Sequence, residues 1–160
     1  MKQTQFDKHT IAWFKIAECV SRGEKERALG VYRLLSHSFN DTAVARQLEG
    51  DIHFSFGEQA LAVLSYQQAM EWYNKSQRFL EAAAVSEHLI VMCPTNISLR
   101  CEAIKLYKML GNMTKVHEHI ERAVDAIFTA GQDNSVQEFL SLLQIHSNEL
   151  YNYAIAYIKK

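Results

Sequence analysis

The sequence predicts an all-α protein, an α-solenoid of about nine helices stacked as antiparallel hairpins, and three observations carry that reading. Apolar residues recur at three- and four-residue steps along nearly the whole chain, the mark of helices that each bury one face. One proline, Pro94, and six glycines punctuate 160 residues, too few for the many tight turns of an all-β fold. A motif also recurs: Gly23-Glu24, Ala28 and Tyr32 are followed 34 residues later by Gly57-Glu58, Ala62 and Tyr66. Each unit thus repeats its small residues where its neighbours must approach closely.

The elements follow in order. Phe6, Thr10, Trp13, Ile16, Ala17 and Val20 place a first helix over about 4–21, closed by Arg22-Gly23. Ala28, Val31, Tyr32, Leu34 and Leu35 continue the period in a second, which the turn formers of 36–42 end. Asp41 or Thr42 can accept the first free N–H groups of the next helix. A third helix over about 42–56 shows Ala45, Leu48, Ile52 and Phe56 on one face, and Gly57 turns the chain into a fourth over about 58–74. Phe79, Leu80, Ala83, Val85, Leu89 and Val91 form a fifth, and Pro94 stops it because proline cannot continue the hydrogen-bond ladder. Thr95-Asn96 cap a sixth that ends at Gly111-Asn112. A seventh covers about 113–130, an eighth about 134–146, and Ser147 or Asn148 caps a ninth in which Leu150, Tyr151, Tyr153, Ile155, Tyr157 and Ile158 go almost all the way round.

Bulk properties narrow the function classes. With 48% hydrophobic residues, 22% charged residues and a net charge of −1, the chain reads as a folded soluble protein of one domain over 1–160. Neither a nucleic acid nor an anionic membrane surface is called for by that balance. Cys19, Cys93 and Cys101 are odd in number with no CxxC spacing, so a disulfide framework or zinc knuckle is not expected. No apolar run fits a signal peptide or a membrane span. A reduced, cytoplasmic setting is the simpler expectation.

No chemistry-bearing pattern stands out, so no catalytic residue, cofactor or metal is assigned. GxGxxG, GxxxxGK[ST], GxSxG and HExxH are all missing. His117 and His119 point about 200° apart on a helix and cannot share a metal. His117 and Glu121 could, but such pairs are far more often a solvated face. Cysteines read as buried, inert thiols. The aromatics Trp13, Phe14, Tyr32, Phe39, Phe54, Phe56, Tyr66, Trp72, Tyr73, Phe79, Tyr107 and Phe128 recur at helical intervals. Most are expected in the core, with Phe54 as an anchor for a partner.

Taken together, Gly50, Gly57, Ala62, Tyr66 and Ala69, with Gly23, Ala28 and Tyr32 before them, resemble the tetratricopeptide repeat (TPR) family in a degenerate form. The likeness covers about 12–146 and leaves 147–160 as a capping or association helix. A second register also fits: Tyr66, Ala69, Met70, Tyr73, Phe79, Ala82 and Pro94 look like one unit, and Arg100, Ala103, Ile104, Tyr107, Met113 and Val116 like the next. The resemblance implies a right-handed α-solenoid whose first helices line a concave face for a partner peptide or helix. In the first register the inward positions are Gln47, Asp51 and Phe54; in the second they are Gln67, Glu71, Lys105 and Lys108. The positions that in some members clamp a partner's terminal carboxylate carry Trp13, Ala17, Gln47 and Leu48, or Arg33, His37, Gln68 and Ser98, and neither set is that clamp.

The expected function is a non-catalytic adaptor, scaffold or chaperone that binds another protein or peptide segment. An alternative is a structural subunit that self-associates through Leu150, Tyr151, Ile155 and Ile158 of the last helix, since a terminal solenoid helix normally needs a polar outer face. A third reading is an all-α enzyme or small-ligand carrier.

Overall fold

The computed structural model describes residues 8–131 and 133–159, and the described residues are helices joined by short turns. The order is α1 (Lys8–Ser21), α2 (Lys25–Ser36), α3 (Thr42–Ser55), α4 (Gln59–Lys75), α5 (Phe79–Met92), α6 (Ile97–Met109), α7 (Met113–Thr129), α8 (Asp133–His146) and α9 (Asn148–Ile158). Phe6, placed in the first helix from its spacing, lies outside the described residues.

Local chemistry sets the ends. Asp41 accepts the N–H of Val44 at 3.1 Å and so caps α3, and Asn96 does the same for α6 through Leu99 at 3.1 Å. Asn112, expected to close α6, opens α7 by accepting from Lys115 at 3.1 Å. Ser147 holds the N-cap position of α9 without a side-chain bond. Gly23 and Gly57, the pair picked out by the repeat, both take φ +73°, a conformation that a Cβ would strain.

Two compact units divide the chain, one up to Trp72 and the other from Tyr73. In the first, Ile16 and Cys19 of α1, Ala28, Leu29, Tyr32 and Leu35 of α2, and Leu48 and Ile52 of α3 make a single buried cluster. Gly50 explains how α3 and α4 close on each other. A Cβ built there would lie 2.8 Å from the Tyr66 ring, so glycine is what lets that ring approach the α3 backbone this closely.

A polar stitch joins successive turns of the same unit. Glu58 takes Lys25 Nζ on one carboxylate oxygen and His53 Nδ1 on the other at 2.8 Å. The hydrogen bond from Lys25, then that from His53, holds the Glu58 carboxyl below its ordinary 4.5. A depressed folded value makes this stabilisation complete above that ordinary pH and lost as acid titrates the folded carboxylate. Glu58→Gln is therefore expected to lower stability at neutral pH, with the gap to wild type closing in acid; urea melts across that range check it, and a gap independent of pH would contradict it.

The second unit is built around Phe139, Ile104, Ile120, Leu143 and Leu150, drawn from α6, α7, α8 and α9. Its helices stack as a repeat requires. Glu87 of α5 meets His119 of α7 at a separation of 32 residues, and Glu121 and Asp125 of α7 meet Tyr153 and Tyr157 of α9 at the same separation. Two links that advance together along α7 and α9 mean that these helices run parallel. Pro94 lies in the turn after α5, and the buried Arg100 guanidinium donates to its carbonyl from Nε at 3.0 Å and Nη2 at 2.8 Å. Burial lowers the pKa of that guanidinium; the two bonds give it an acceptor in the turn that follows α5.

Candidate partner-binding groove

A groove of about 190 Å³ runs between α1 and α3 in the first unit. Helical spacing puts Trp13, Ile16, Ala17 and Val20 on one wall, and Leu48, Asp51, Ile52 and Ser55 on the other. Ile16, Leu48 and Ile52 are buried at its floor, and Trp13 stays 40% exposed at its rim. An indole with that much accessible surface beside a ready apolar floor is an uncovered contact surface.

Asp51 is the one charged residue in the lining. Its Oδ1 accepts the Tyr66 hydroxyl at 2.6 Å, and its backbone carbonyl accepts the Ser55 hydroxyl at 2.7 Å. Burial, and then the bond to Asp51, raises the pKa of the Tyr66 hydroxyl, so it remains a donor that orients the carboxylate. The groove therefore offers apolar walls and one fixed negative group, which suits an apolar side chain next to a cation or an N–H donor.

Of the three positions expected to face a partner, the structure brings only Asp51 into this groove. Phe54 stands 55% exposed on α3 outside the lining, and Gln47 is half-buried on the same helix. Trp13, Ala17 and Leu48, which stand where a carboxylate clamp would need polar donors, line the groove as apolar wall instead. Trp13, Phe14, Trp72 and Phe128, expected in the core with most of the aromatics, are exposed instead; the 3.6-residue period locates a face without telling whether another element covers it.

The proposed association helix is differently placed. Leu150 is 1% exposed within the core, while Tyr151, Ile155 and Ile158 are partly buried and packed against the same core. Tyr153 donates to Glu121 at 2.6 Å, which also occupies the acid considered with His117, and His117 stacks on the Tyr153 ring with centroids 3.9 Å apart. Cys19 and Cys101 are buried, Cys93 is half-buried, and all three are free thiols; burial pushes the Cys101 thiol up to about 12, which keeps it protonated. Among the described residues no three His, Cys, Asp or Glu side chains gather as a metal site would need. Among them also, no helix is long and apolar enough to cross a membrane.

Fold and groove together define an all-helical protein of packed hairpins with an open contact surface. No protein-family model matches the chain, and no curated protein does. Solved structures of MamA are similar to it: the RS-1 ArsTM double mutant at 14% identity, covering 96% of each chain, and the 41-end form from Desulfovibrio magneticus RS-1 at 15%, covering 96% of this chain and 92% of that one. The TM-score is 0.37 in both, a likeness that assigns neither partner nor activity.

Proposed function

We propose that the chain is a non-catalytic interaction module of degenerate TPR-type repeats, an adaptor, scaffold or chaperone that takes an apolar segment of another protein into the α1/α3 groove. The observation that carries this is the uncovered Trp13 above a floor of Ile16, Leu48 and Ile52. The carboxylate of Asp51 selects a lysine or arginine beside the apolar anchor of the bound segment. Phe54 and Gln47 extend the contact along α3. Self-association through α9 has less support, because Leu150 is in the core and the Tyr153 and Tyr157 hydroxyls tie the helix to α7.

Selection from a displayed peptide library tests the reading. Enriched sequences are expected to pair an aromatic or aliphatic residue with a basic one. Trp13→Ala should weaken the selected peptides by about 30-fold, the effect of losing an interface tryptophan worth roughly 2 kcal/mol. Phe54→Ala should weaken them several-fold, and both variants should melt within a few degrees of wild type, since these rings are already exposed. Peptides that bind Trp13→Ala as tightly as wild type would rule the groove out.

A further inference from the structure

A second concavity of the first unit, about 430 Å³ in volume, lies where α2 ends and α3 begins. Its polar lining is mostly cationic or hydroxyl-bearing: Arg33 from the last turn of α2, His37 just after it, and Thr42 and Arg46 from the start of α3. Tyr32, Phe39 and Ala45 supply apolar wall.

One carboxylate, Glu49, lines it, and that group is already engaged. Arg46 Nη1 donates to Glu49 at 2.8 Å, and the Tyr32 hydroxyl, whose pKa is pushed up to about 12 by burial first, also donates to Glu49. Asp41 uses its side chain to cap α3 and does not line the cavity. Arg33, by contrast, is exposed and makes no ion pair among the described residues. The lining thus carries more positive charge than negative, with an arginine whose five donors are unclaimed by an acid.

We infer that this cavity binds a phosphate monoester on a small organic body, with Arg33 as its principal ligand. Arg33, His37 and Thr42 face the cavity from either side of the α2–α3 turn, with Arg46 as a further guanidinium shared with Glu49, a donor set suited to the three terminal oxygens and double charge of a phosphate. Tyr32 and Phe39 give the organic body an apolar surface, and the volume exceeds what a bare ion would fill. The site is separate from the α1/α3 groove, with no lining residue in common, and stands or falls independently of it.

Isothermal titration with phenyl phosphate, phenol and benzoate tests the inference, alongside a short peptide bearing phosphotyrosine. Phenyl phosphate is expected to bind saturably at millimolar concentration or below, at least tenfold more tightly than benzoate, and phenol not at all. Raising salt should weaken it. Arg33→Ala should lower its affinity at least tenfold without shifting the melting temperature, and Arg33→Lys should recover part of the loss. Tighter binding of the peptide than of phenyl phosphate assigns the ester to a protein side chain; equal or weaker binding assigns it to a free small molecule. Absence of saturable binding to wild type, equal affinity for benzoate, or an Arg33→Ala protein that binds as wild type does would each overturn the site.

Discussion

Glu87→Leu is expected to lower the stability of the second unit by about 2–3 kcal/mol, because it strands the buried His119 ring and leaves the half-buried Tyr107 hydroxyl without its acceptor. Glu87 Oε1 accepts the Tyr107 hydroxyl at 2.8 Å and lies 3.0 Å from His119 Nε2. His119 is 1% exposed, and its Nδ1 is buried without a hydrogen-bond partner, so Nε2 is the sole polar anchor of that ring and carries its proton toward Glu87. The Tyr107 ring stacks on it at 5.2 Å between centroids. With leucine at 87 both ring nitrogens are orphaned in the core. Glu87→Gln keeps an acceptor oxygen and should cost about 1 kcal/mol. Adding His119→Phe to Glu87→Leu should recover much of the loss, since replacing both partners with apolar groups removes the stranded donor. Urea denaturation followed by circular dichroism measures all three, and a Glu87→Leu protein as stable as wild type would show that the network contributes nothing.

Gly50→Val should cost the first unit about 3 kcal/mol. Even the Cβ would meet the Tyr66 ring at 2.8 Å, and that ring cannot swing aside: it is buried and its hydroxyl is held by Asp51. Overpacking of this kind costs about 1–3 kcal/mol, and the valine methyl groups put it at the upper end. For Gly50→Ala, the gain of about 1 kcal/mol in helix propensity offsets part of the clash. Gly30, inside α2, supplies the control. A Cβ there meets nothing within 4 Å, so Gly30→Ala should stabilise the protein by about 0.5–1 kcal/mol. Trp13 and Trp72, the chain's two tryptophans, both belong to the first unit, so tryptophan fluorescence during denaturation reads these changes. A Gly50→Val protein that unfolds with wild type would mean that α3 and α4 do not meet there.

Both variants act through contacts of different legibility. The Gly50–Tyr66 approach lies within one hairpin, where the resemblance to the TPR pattern places a small residue on the first helix and an aromatic on the second. Glu87, Tyr107 and His119 sit on three helices. Nothing at those positions distinguishes a buried histidine from a solvated one, because polar residues at helical spacing look alike until a neighbouring helix covers them. The groove shows the same division. Asp51 was identified from its register, but its apolar setting depends on α1 meeting α3, and Phe54, chosen from the same register, falls outside the lining. For Arg33 and His37, it is the turn between α2 and α3 that brings them to one cavity with Arg46. At the end of α4 the chain takes the left-handed turn with Gln77, φ +58°, where no glycine marked it.

What the sequence determined by itself is the part of the protein governed by short-range chemistry. A period of 3.6 residues, Asp41 and Asn96 as caps, glycine at 23 and 57, and proline at 94 decide where helices begin and end, because each acts through backbone groups a few residues away. Only the tertiary structure decided which side of each helix is covered. Coverage depends on partners about 32 residues distant, and it is coverage that turns His119 into a core residue, Leu150 into a packed one, and Trp13 into the exposed rim of a groove.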